Sequence, residues 1–497
     1  MITRAGTVGV PRQRAGSRRP LPRPPAGWVP RRTARRSAAL RALGPWALAA
    51  VFAAVYAIDS VGRYEQGATL SWDLGLFTEA VKQYAHLHAP IVDARAPGFD
   101  LLGEHFHPIL ALLAPFFALA PTPVTLLVAQ ALLFALSVVP VTSIARERLG
   151  SRPGYAVGAA YGASFGVVQA VDFDFHELAF AAPLIAVALL ALLRDRSRLL
   201  VAACVGLLCT KEEFGVTVVL PLGLAWALRD RTRLRRRMPL AVLGLAASLL
   251  QIWVLIPALS PDHGYGFLTL ADASGSRGNA VGLAELFTGL GAKAQLLLLL
   301  GLVTAFTALY SPLVLLAVPD LLMRFASSDT YYWGTAFHYN AVLMPILFIA
   351  AVDGIARARA RDGRITAHVG RFGVAGIGLA ALFLLPVYAL GHAFAALPYA
   401  PGPLHLAAWH QAEAEVPAGA SVEASLDVLA PLAAKADAYW IGNTAIDPAP
   451  DYLVFDGPAS GSDLSPDQMV AAADSWHPLA SYTVLSADDG VYVLRLL

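Results

Sequence analysis

Long apolar runs separated by short clusters of arginine dominate this sequence. Hydrophobic residues make up 57% of its 497 positions and charged residues only 14%, whereas soluble domains carry about 25% charged residues. An α-helix needs about 20 consecutive apolar residues to cross the hydrocarbon core of a bilayer. With a mean hydropathy of +0.58, the chain is predicted to be an all-α polytopic membrane protein, and soluble enzyme folds are excluded.

A segment rich in arginine and proline precedes the first apolar run. Eleven arginines and no acidic residue occur before Asp59. Such a segment buries little apolar surface, so residues 1–41 are predicted to be a disordered cytoplasmic tail. An arm that binds nucleic acid is the competing interpretation, but no nucleic-acid-binding domain follows and no such partner is expected. Residues 42–58 are predicted to be an uncleaved signal anchor.

The remaining basic clusters predict the orientation of the loops. Short loops rich in Lys and Arg stay in the cytoplasm, so the segments between them must leave the cytoplasm and return. Residues 42–395 are therefore predicted to form a transmembrane domain of about ten to twelve spans, with residues 59–107 as its first extracytoplasmic loop. Prolines interrupt residues 108–120, which are predicted to form a short interfacial or re-entrant helix. The basic clusters lie at 145–152, 194–198, 229–237 and 357–364.

The composition changes at about residue 396. The remaining tail has thirteen acidic residues, and its only basic ones are Lys435 and Arg495. Strand-like segments at 451–455 and 490–497, together with a helix-like segment at 425–436, predict a small α/β domain. Because one span separates residues 396–497 from the last basic cluster, this domain is predicted to be extracytoplasmic.

The segment WDLGLFTEAVKQYAHL of the first loop has apolar residues near helical spacing. It is predicted to be an amphipathic helix that lies on the membrane surface. Asp73 would begin this helix, where aspartate commonly caps free backbone N–H groups. A capping role and a role as catalytic base do not exclude one another, so both interpretations stay open.

Two histidines follow in the motif GEHFHP, just before an apolar run. His105 and His107 suit contact with a substrate or with a metal, but a zinc site would need further ligands from elsewhere in the chain. The alternative is a pair of polar residues at the start of a helix.

The motif DFDFHE lies between two apolar runs and contains Asp172, Asp174, His176 and Glu177. Two carboxylates in an Asp-x-Asp arrangement can hold a divalent cation through oxygen ligands. Asp172 and Asp174 are therefore the predicted metal ligands, for Mg²⁺ or Mn²⁺. The alternative is an exposed loop, which readily carries acids.

Three consecutive charges, Lys211, Glu212 and Glu213, interrupt two apolar runs. Ionisable residues within membrane segments cost about 2.5–3.5 kcal/mol each and usually mark function. Neighbouring helical residues point about 100° apart, so Lys211 and Glu212 need different partners. Lys211 suits a phosphate group, and Glu212 is predicted to pair with His176 or Arg63.

Several of these motifs occur in an order that resembles a known family. They are DLGLF at 73–77, EHFHPI at 104–109, DFHE at 174–177, KEE at 211–213 and HY at 338–339. Together they resemble a bacterial family of multi-pass membrane proteins with a domain of unknown function. The architecture over about residues 40–395 is also similar to the GT-C superfamily of polyprenyl-phosphate-dependent glycosyltransferases, such as the protein O-mannosyltransferases and the lipid A aminoarabinose transferase.

The resemblance implies a role for each matching residue. Asp73 matches the acid of the first outside loop, which is the catalytic base in GT-C enzymes. Lys211 matches the lysine that contacts the phosphate of the donor, although GT-C enzymes commonly have a small residue where Glu212 follows here. A carboxylate beside a phosphate repels it unless a cation intervenes. His107 and Pro108 match the entry to the following helix, and Asp174 or Glu177 matches the second outside acid. The residues predicted to bind substrate besides Lys211 are His105, His107, Asp174, His176, Glu177, Glu212, His338 and Tyr339.

The resemblance thus implies a membrane glycosyltransferase that moves a sugar from a polyprenyl-phosphate donor to a glycan or protein acceptor of the cell envelope. Transfer would occur on the outer face of the bacterial plasma membrane, with the N-terminus in the cytoplasm and the C-terminal domain outside, in a position to bind the acceptor. A transporter or flippase of a lipid-linked precursor is one alternative, although no inverted repeat is evident. A non-catalytic membrane scaffold is another, but the Lys-Glu-Glu run among apolar residues disfavours it.

Overall fold

The computed structural model describes residues 31–69, 72–266, 281–388, 406–441 and 448–497, with side chains from Leu43 onward. The chain divides into two compact units, residues 1–44 and residues 45–497. Of the first unit, the helical backbone is described from residue 31 and the Leu43 side chain is described as well.

Helix α1 spans Arg31–Glu65 and contains the predicted signal anchor. It begins before residue 42, where the disordered tail was predicted to end. Arginine, alanine and leucine, which dominate the segment RRTARRSAALRAL, have high helix propensity, and this favours the earlier start. Residues 1–30 of the predicted tail lie outside the described residues.

The membrane domain continues with fourteen further described helices, and α4, α7 and α14 pack at the centre of its apolar core. They are α2 (Trp72–Ala85), α3 (Ala114–Leu119), α4 (Pro123–Leu149), α5 (Ser151–Gly162), α6 (Phe165–Asp172), α7 (Leu178–Leu193), α8 (Ser197–Leu208), α9 (Leu220–Arg229), α10 (Leu234–Leu250), α11 (Ile256–Leu259), α12 (Leu290–Leu302), α13 (Val318–Phe325), α14 (Leu343–Arg359) and α15 (Arg364–Leu384).

Four helical stretches among the described residues are long and apolar enough to cross a membrane. Shorter apolar helices, among them Pro108–Leu119, lie between them. That short helix consists of a 3₁₀ turn, Pro108–Leu113, followed by α3. A short helix was predicted here, and its interfacial or re-entrant position stays a prediction. Helix length alone gives four crossings, so the count of about ten to twelve remains a prediction. The four long stretches are Leu43–Glu65, Pro123–Leu149, Arg231–Leu259 and Arg364–Val387.

Two π-helical segments occur in the membrane domain, where the helical repeat contains an extra residue. Gly215–Val219 leads into α9, and Gln251–Leu255 follows α10. The first segment packs tightly on α10, because a Cβ atom on Gly215 would lie 2.3 Å from the carbonyl oxygen of Gly244. Only glycine permits this approach of the two backbones.

Side chains near these two segments hold the turn that contains the Lys-Glu-Glu run. Ser248 of α10 accepts a hydrogen bond from the backbone N–H of Val216 at 3.1 Å and donates one to the carbonyl oxygen of Glu212. Gln251 donates to the carbonyl oxygen of Leu208 at 2.8 Å. The turn is therefore fixed from the side of α10.

The C-terminal domain is a five-stranded sheet flanked by helices, which confirms the predicted α/β fold. The strand order is β2-β1-β3-β5-β4; β1 pairs in parallel with β2 and β3, and β5 pairs antiparallel with β3 and β4. Residues 389–405, which include the predicted boundary at 396, lie outside the described residues. The elements are α16 (Leu406–Glu415), β1 (Ser421–Ala424), α17 (Leu426–Lys435), β2 (Asp437–Trp440), β3 (Tyr452–Asp456), α18 (Pro466–Trp476), β4 (Tyr482–Asp488) and β5 (Val491–Leu496).

Helix α2 forms where it was predicted, but it is not a surface helix. Every residue from Leu74 to Lys82 is buried, including the polar ones. Helix α17 packs on it, since a Cβ on Gly75 would lie 3.1 Å from the Leu429 side chain, and Lys82 Nζ donates to the carbonyl oxygen of Ala436 at 2.5 Å. The polar face predicted to meet water is instead covered by the C-terminal domain.

Candidate active site

The loop between α6 and α7, which carries the motif DFHE, is held by one glutamine of α4. The Gln130 amide nitrogen donates to the carbonyl oxygens of Ala170 and Asp174, at 3.1 and 3.2 Å. Its amide oxygen accepts from the backbone N–H of His176 at 2.9 Å. Gln130 is fully buried, and its three hydrogen bonds fix the backbone of this loop at Ala170, Asp174 and His176.

The aromatic loop 331–340 is held by a buried arginine of α13. Arg324 donates to the carbonyl oxygens of Tyr332 and Tyr339 and to the amide oxygen of Asn340. Phe337, the residue before His338, has a φ of 60°, a left-handed conformation that costs energy for a non-glycine residue. The arginine network therefore fixes this strained loop and the imidazole that it carries.

Asp73, His176 and His338 come together from three separate parts of the chain. Their ligand-type atoms all lie within 4.8 Å of one another. The rings of His176 and His338 stack with centroids 3.5 Å apart and an interplanar angle of 23°. Both histidines are buried, whereas Asp73, in the first turn of α2, is half-buried.

Glu177 connects this group to Lys211. One carboxylate oxygen of Glu177 lies 2.9 Å from His176 Nδ1, and the other lies 3.6 Å from Lys211 Nζ. Asp73, His176, Glu177 and Lys211 are therefore successive neighbours. The fold brings these residues together from three separate segments of the chain.

Burial and neighbouring charges shift the protonation of these groups. Burial raises the pKa of Asp73 to about 8, with Asp174 and Glu177 adding to the rise and Lys211 opposing it. Burial also raises the pKa of Glu177, but His176 and Lys211 outweigh that effect and hold it well below its usual range. Burial lowers the pKa of Lys211, but Glu213 and Glu177 outweigh that effect and raise it. Glu177 and Lys211 are therefore a buried ion pair.

Glu212 pairs with residues other than those predicted. Its Oε1 lies 2.7 Å from His105 Nδ1 and accepts from the Tyr265 hydroxyl at 2.6 Å. Its Oε2 accepts from the backbone N–H of Phe106 at 3.0 Å. The prediction that Glu212 pairs with His176 or Arg63 was wrong, because the Lys-Glu-Glu turn docks on the GEHFHP segment of the first loop.

His107, Tyr339 and Asp174 complete the surroundings of the group. His107 is buried edge-on to Phe77, with ring centroids 5.6 Å apart, and burial lowers its pKa to about 4. The Tyr339 ring centroid lies 4.3 Å from that of His338, and Asp174 is buried. His105 and His107 thus have separate surroundings and do not form a joint metal site in the described structure.

Asp172, one of the two predicted metal ligands, has a different partner. Its Oδ1 lies 3.1 Å from Arg63 Nε. Asp172, Arg63 and Asp174 line a small polar pocket of about 160 Å³. Among the described residues, the group of three side chains placed to hold a metal is Asp73, His176 and His338, and it contains neither Asp172 nor Asp174.

Two residues that position the site, Gln130 and Arg324, were missed from the sequence. Both are polar residues in otherwise apolar helices, in the segments LLVAQALL and VPDLLMRF. A polar side chain in such a helix usually has an internal partner, and this signal was available. Asp320, one turn before Arg324 and 3.7 Å from it, reinforces the signal.

The helices, the terminal sheet and the buried charges define a polytopic membrane protein with a small C-terminal α/β domain. Residues 68–493 match the protein family described as "Predicted membrane protein (DUF2079)", and the chain belongs to this family. A search of curated proteins gave no match.

Two solved structures of one protein are similar to this chain. ArnT from Cupriavidus metallidurans bound to undecaprenyl phosphate superposes with a TM-score of 0.55 at 16% identity, covering 91% of this chain and 98% of ArnT. ArnT in the apo state gives a TM-score of 0.49 at 15% identity, covering 85% and 92%. The first similarity supports the fold alone, and the GT-C-like architecture predicted from the sequence is confirmed.

Glu212→Gln is expected to lower the free energy of unfolding by about 2–3 kcal/mol, since hydrogen bonds to a charged group contribute that much. The carboxylate that accepts from Phe106 and Tyr265 and faces His105 would be lost. Unfolding titrations in mixed micelles measure this change. An unchanged midpoint would contradict the structural importance of this carboxylate.

Glu213→Gln is the matched control, on the next residue. Burial raises the pKa of Glu213 to about 7, so the folded protein retains a proton that the unfolded chain loses at lower pH. Stability contributed by this group is present at low pH and is lost as pH rises through about 7. Glu213→Gln should remove that pH dependence.

Proposed function

We propose that this chain transfers a sugar from a polyprenyl-phosphate donor to an acceptor of the cell envelope. The observation that carries the proposal is the buried path from the half-buried carboxylate of Asp73 through His176 and Glu177 to the ammonium of Lys211. A base and a phosphate-binding cation at one place are what transfer from a lipid phosphate requires. The fold shared with ArnT, which was solved with undecaprenyl phosphate, supports the choice of donor.

In the proposed reaction, an acceptor hydroxyl attacks the anomeric carbon of the donor sugar. Asp73 takes the hydroxyl proton while the new glycosidic bond forms. The bond between the anomeric carbon and the phosphate oxygen breaks, and its electron pair leaves with the polyprenyl phosphate. Lys211, whose ammonium has three N–H donors, stabilises the charge that develops on that phosphate.

An apolar groove gives a place for the isoprenoid chain of the donor. It has a volume of about 570 Å³ and lies between α3, α4 and α7. Leu112, Phe116, Leu132 and Phe180 are among its lining residues. Phe180 lies one helical turn after Glu177, so a lipid in this groove would have its phosphate near the Glu177–Lys211 pair.

The other predicted site residues are assigned to substrate binding in this proposal. The acceptor would enter between the C-terminal domain and the loops, and the reaction would take place on the outer face of the bacterial plasma membrane, with the N-terminus in the cytoplasm. The proposed donor- and acceptor-binding residues are His105, His107, Asp174, His176, Glu177, Lys211, Glu212, His338 and Tyr339.

Deletion of the chromosomal copy tests the proposal. We expect the deletion strain to lose one glycosidic linkage from its envelope glycans or glycoproteins and to accumulate one polyprenyl-phosphate-linked sugar, both measured by mass spectrometry and restored by the wild-type chain. Unchanged glycans and unchanged lipid-linked sugars would contradict it. Accumulation on the inner leaflet would indicate a flippase instead.

A further inference from the structure

The group of Asp73, His176 and His338 has the composition of a transition-metal site. Three ligand-type atoms within 4.8 Å of one another come from α2, from the loop after α6 and from the loop before α14. A four-coordinate zinc ion holds neighbouring ligand atoms about 3.3 Å apart. Binding would require the half-buried Asp73 side chain to rotate and the stacked His176 and His338 rings to turn until both ring planes meet at the ion.

One buried polar atom of the group has no hydrogen-bond partner among the described residues. This atom is His338 Nδ1, and His338 is only 4% exposed. Leaving such an atom unsatisfied is costly, and a cation bound to it would offset the cost.

The local charge also favours a cation. Asp73, Asp174 and Glu177 contribute three carboxylates to the electrostatic environment of this group, and Lys211 contributes one ammonium. The nearby carboxylate Asp172 is paired with Arg63. The group therefore keeps an excess of negative charge when its carboxylates are ionised.

The ligand types select the kind of metal. Two imidazoles and one carboxylate suit zinc and similar first-row metals, whereas Mg²⁺ and Ca²⁺ prefer oxygen ligands only. Three protein ligands with an open position are also typical of metal sites that exchange a bound ligand. The Mg²⁺ or Mn²⁺ predicted for Asp172 and Asp174 fits this group less well.

We infer that Asp73, His176 and His338 bind one divalent transition-metal ion of the zinc class, with a coordination position left for an exchangeable ligand. One oxygen of Asp73 would bind the metal, and the other would remain for a hydroxyl group. The site is inferred from its ligands alone and does not depend on the transfer reaction, so its test is metal content rather than activity.

The experiment uses the full-length protein in detergent, stripped with a chelator, incubated with Zn²⁺ and freed of excess metal by gel filtration. Elemental mass spectrometry should find about one Zn²⁺ per chain. Mg²⁺ offered in place of Zn²⁺ should not be retained. A wild-type protein that retains no Zn²⁺, or that retains Mg²⁺ in preference, would overturn the inference.

Variants of the proposed ligands test whether the ion binds at these residues. His338→Gln and Asp73→Asn should lower the retained zinc by about tenfold or more. His368→Gln, which changes an exposed histidine at the start of α15, should retain as much zinc as the wild type. His338→Cys should restore binding, because a thiolate is a good zinc ligand, and this excludes loss of folding as the cause. Equal zinc in His338→Gln and wild type would overturn the assignment.

Discussion

Asp73→Asn is expected to reduce sugar transfer by about 10²–10⁴-fold, the usual contribution of a positioned general base. Asparagine has nearly the same size and can keep local hydrogen bonds, but it cannot take a proton from the acceptor hydroxyl. The side chain lies in the first turn of α2, a helix covered by the C-terminal domain, so the fold should tolerate the change.

The measurement is complementation of the deletion strain, with envelope linkages and lipid-linked sugars quantified together. Asp93→Asn is the matched control: it makes the same change in the same loop, at a residue whose carboxylate accepts from the backbone N–H of Gly98. Asp93→Asn should restore the linkage and Asp73→Asn should not. If Asp73→Asn fully restored the linkage, Asp73 would not be the catalytic base, whatever amount of zinc the Asp73→Asn variant retains.

Lys211→Met is expected to have two large effects with different causes. Polyprenyl-phosphate binding should be lost, because methionine keeps the length of the side chain but removes the cation. Stability should also fall by about 3–5 kcal/mol, because the change leaves the carboxylate of Glu177 buried without its cation. The side chain of Lys211 is only 7% exposed and that of Glu177 is fully buried.

A double variant separates these two effects. In Lys211→Met/Glu177→Gln the uncompensated charge is gone, so thermal stability should return toward that of the wild type. Binding of the lipid phosphate, measured by native mass spectrometry, should stay lost. A Lys211→Met protein that binds polyprenyl phosphate as well as the wild type would contradict the assignment of Lys211, whereas a double variant that also binds would shift the role to another cation.

Hydropathy and charge placement predicted the class of fold and several residues that meet in the candidate site, whereas His338 and Tyr339 followed only from the resemblance to a family. The reason for the first result is energetic: lipid cannot satisfy a buried Lys211 or Glu177, so side chains of this kind must find one another. The strands and the helix of the C-terminal domain followed from alternation and turn signals. These inferences need only the chemistry of each segment.

The pairing of individual side chains did not follow from the sequence. Glu212 was expected beside His176 or Arg63, but it faces His105. Which residue a carboxylate meets depends on the rotation of its helix, and the π-helical turn at 215–219 changes that rotation without a sequence signal. Helical periodicity therefore indicated that Lys211 and Glu212 have different partners, but it did not identify the partner of Glu212.

The sequence pattern also could not predict what covers the polar face of α2. An amphipathic helix has the same spacing of apolar residues whether its polar face meets water or another domain. Lys82 was compatible with a solvated face, and only the fold brings its ammonium to the carbonyl oxygen of Ala436. Lys82 and Ala436 are 354 residues apart in the sequence, so local spacing could not predict their contact.

The π-helical turn at Gly215–Val219 also constrains how this family can vary in length. Removing one residue there would restore ordinary α-helical geometry and leave the preceding Lys-Glu-Glu run facing nearly the same way relative to α9, because the π turn accommodates one extra residue. A deletion within the α-helical part of α9 would instead turn that run by about 100° and detach Glu212 from the first loop. Family members should therefore accept a one-residue gap within Gly215–Val219 more readily than within α9.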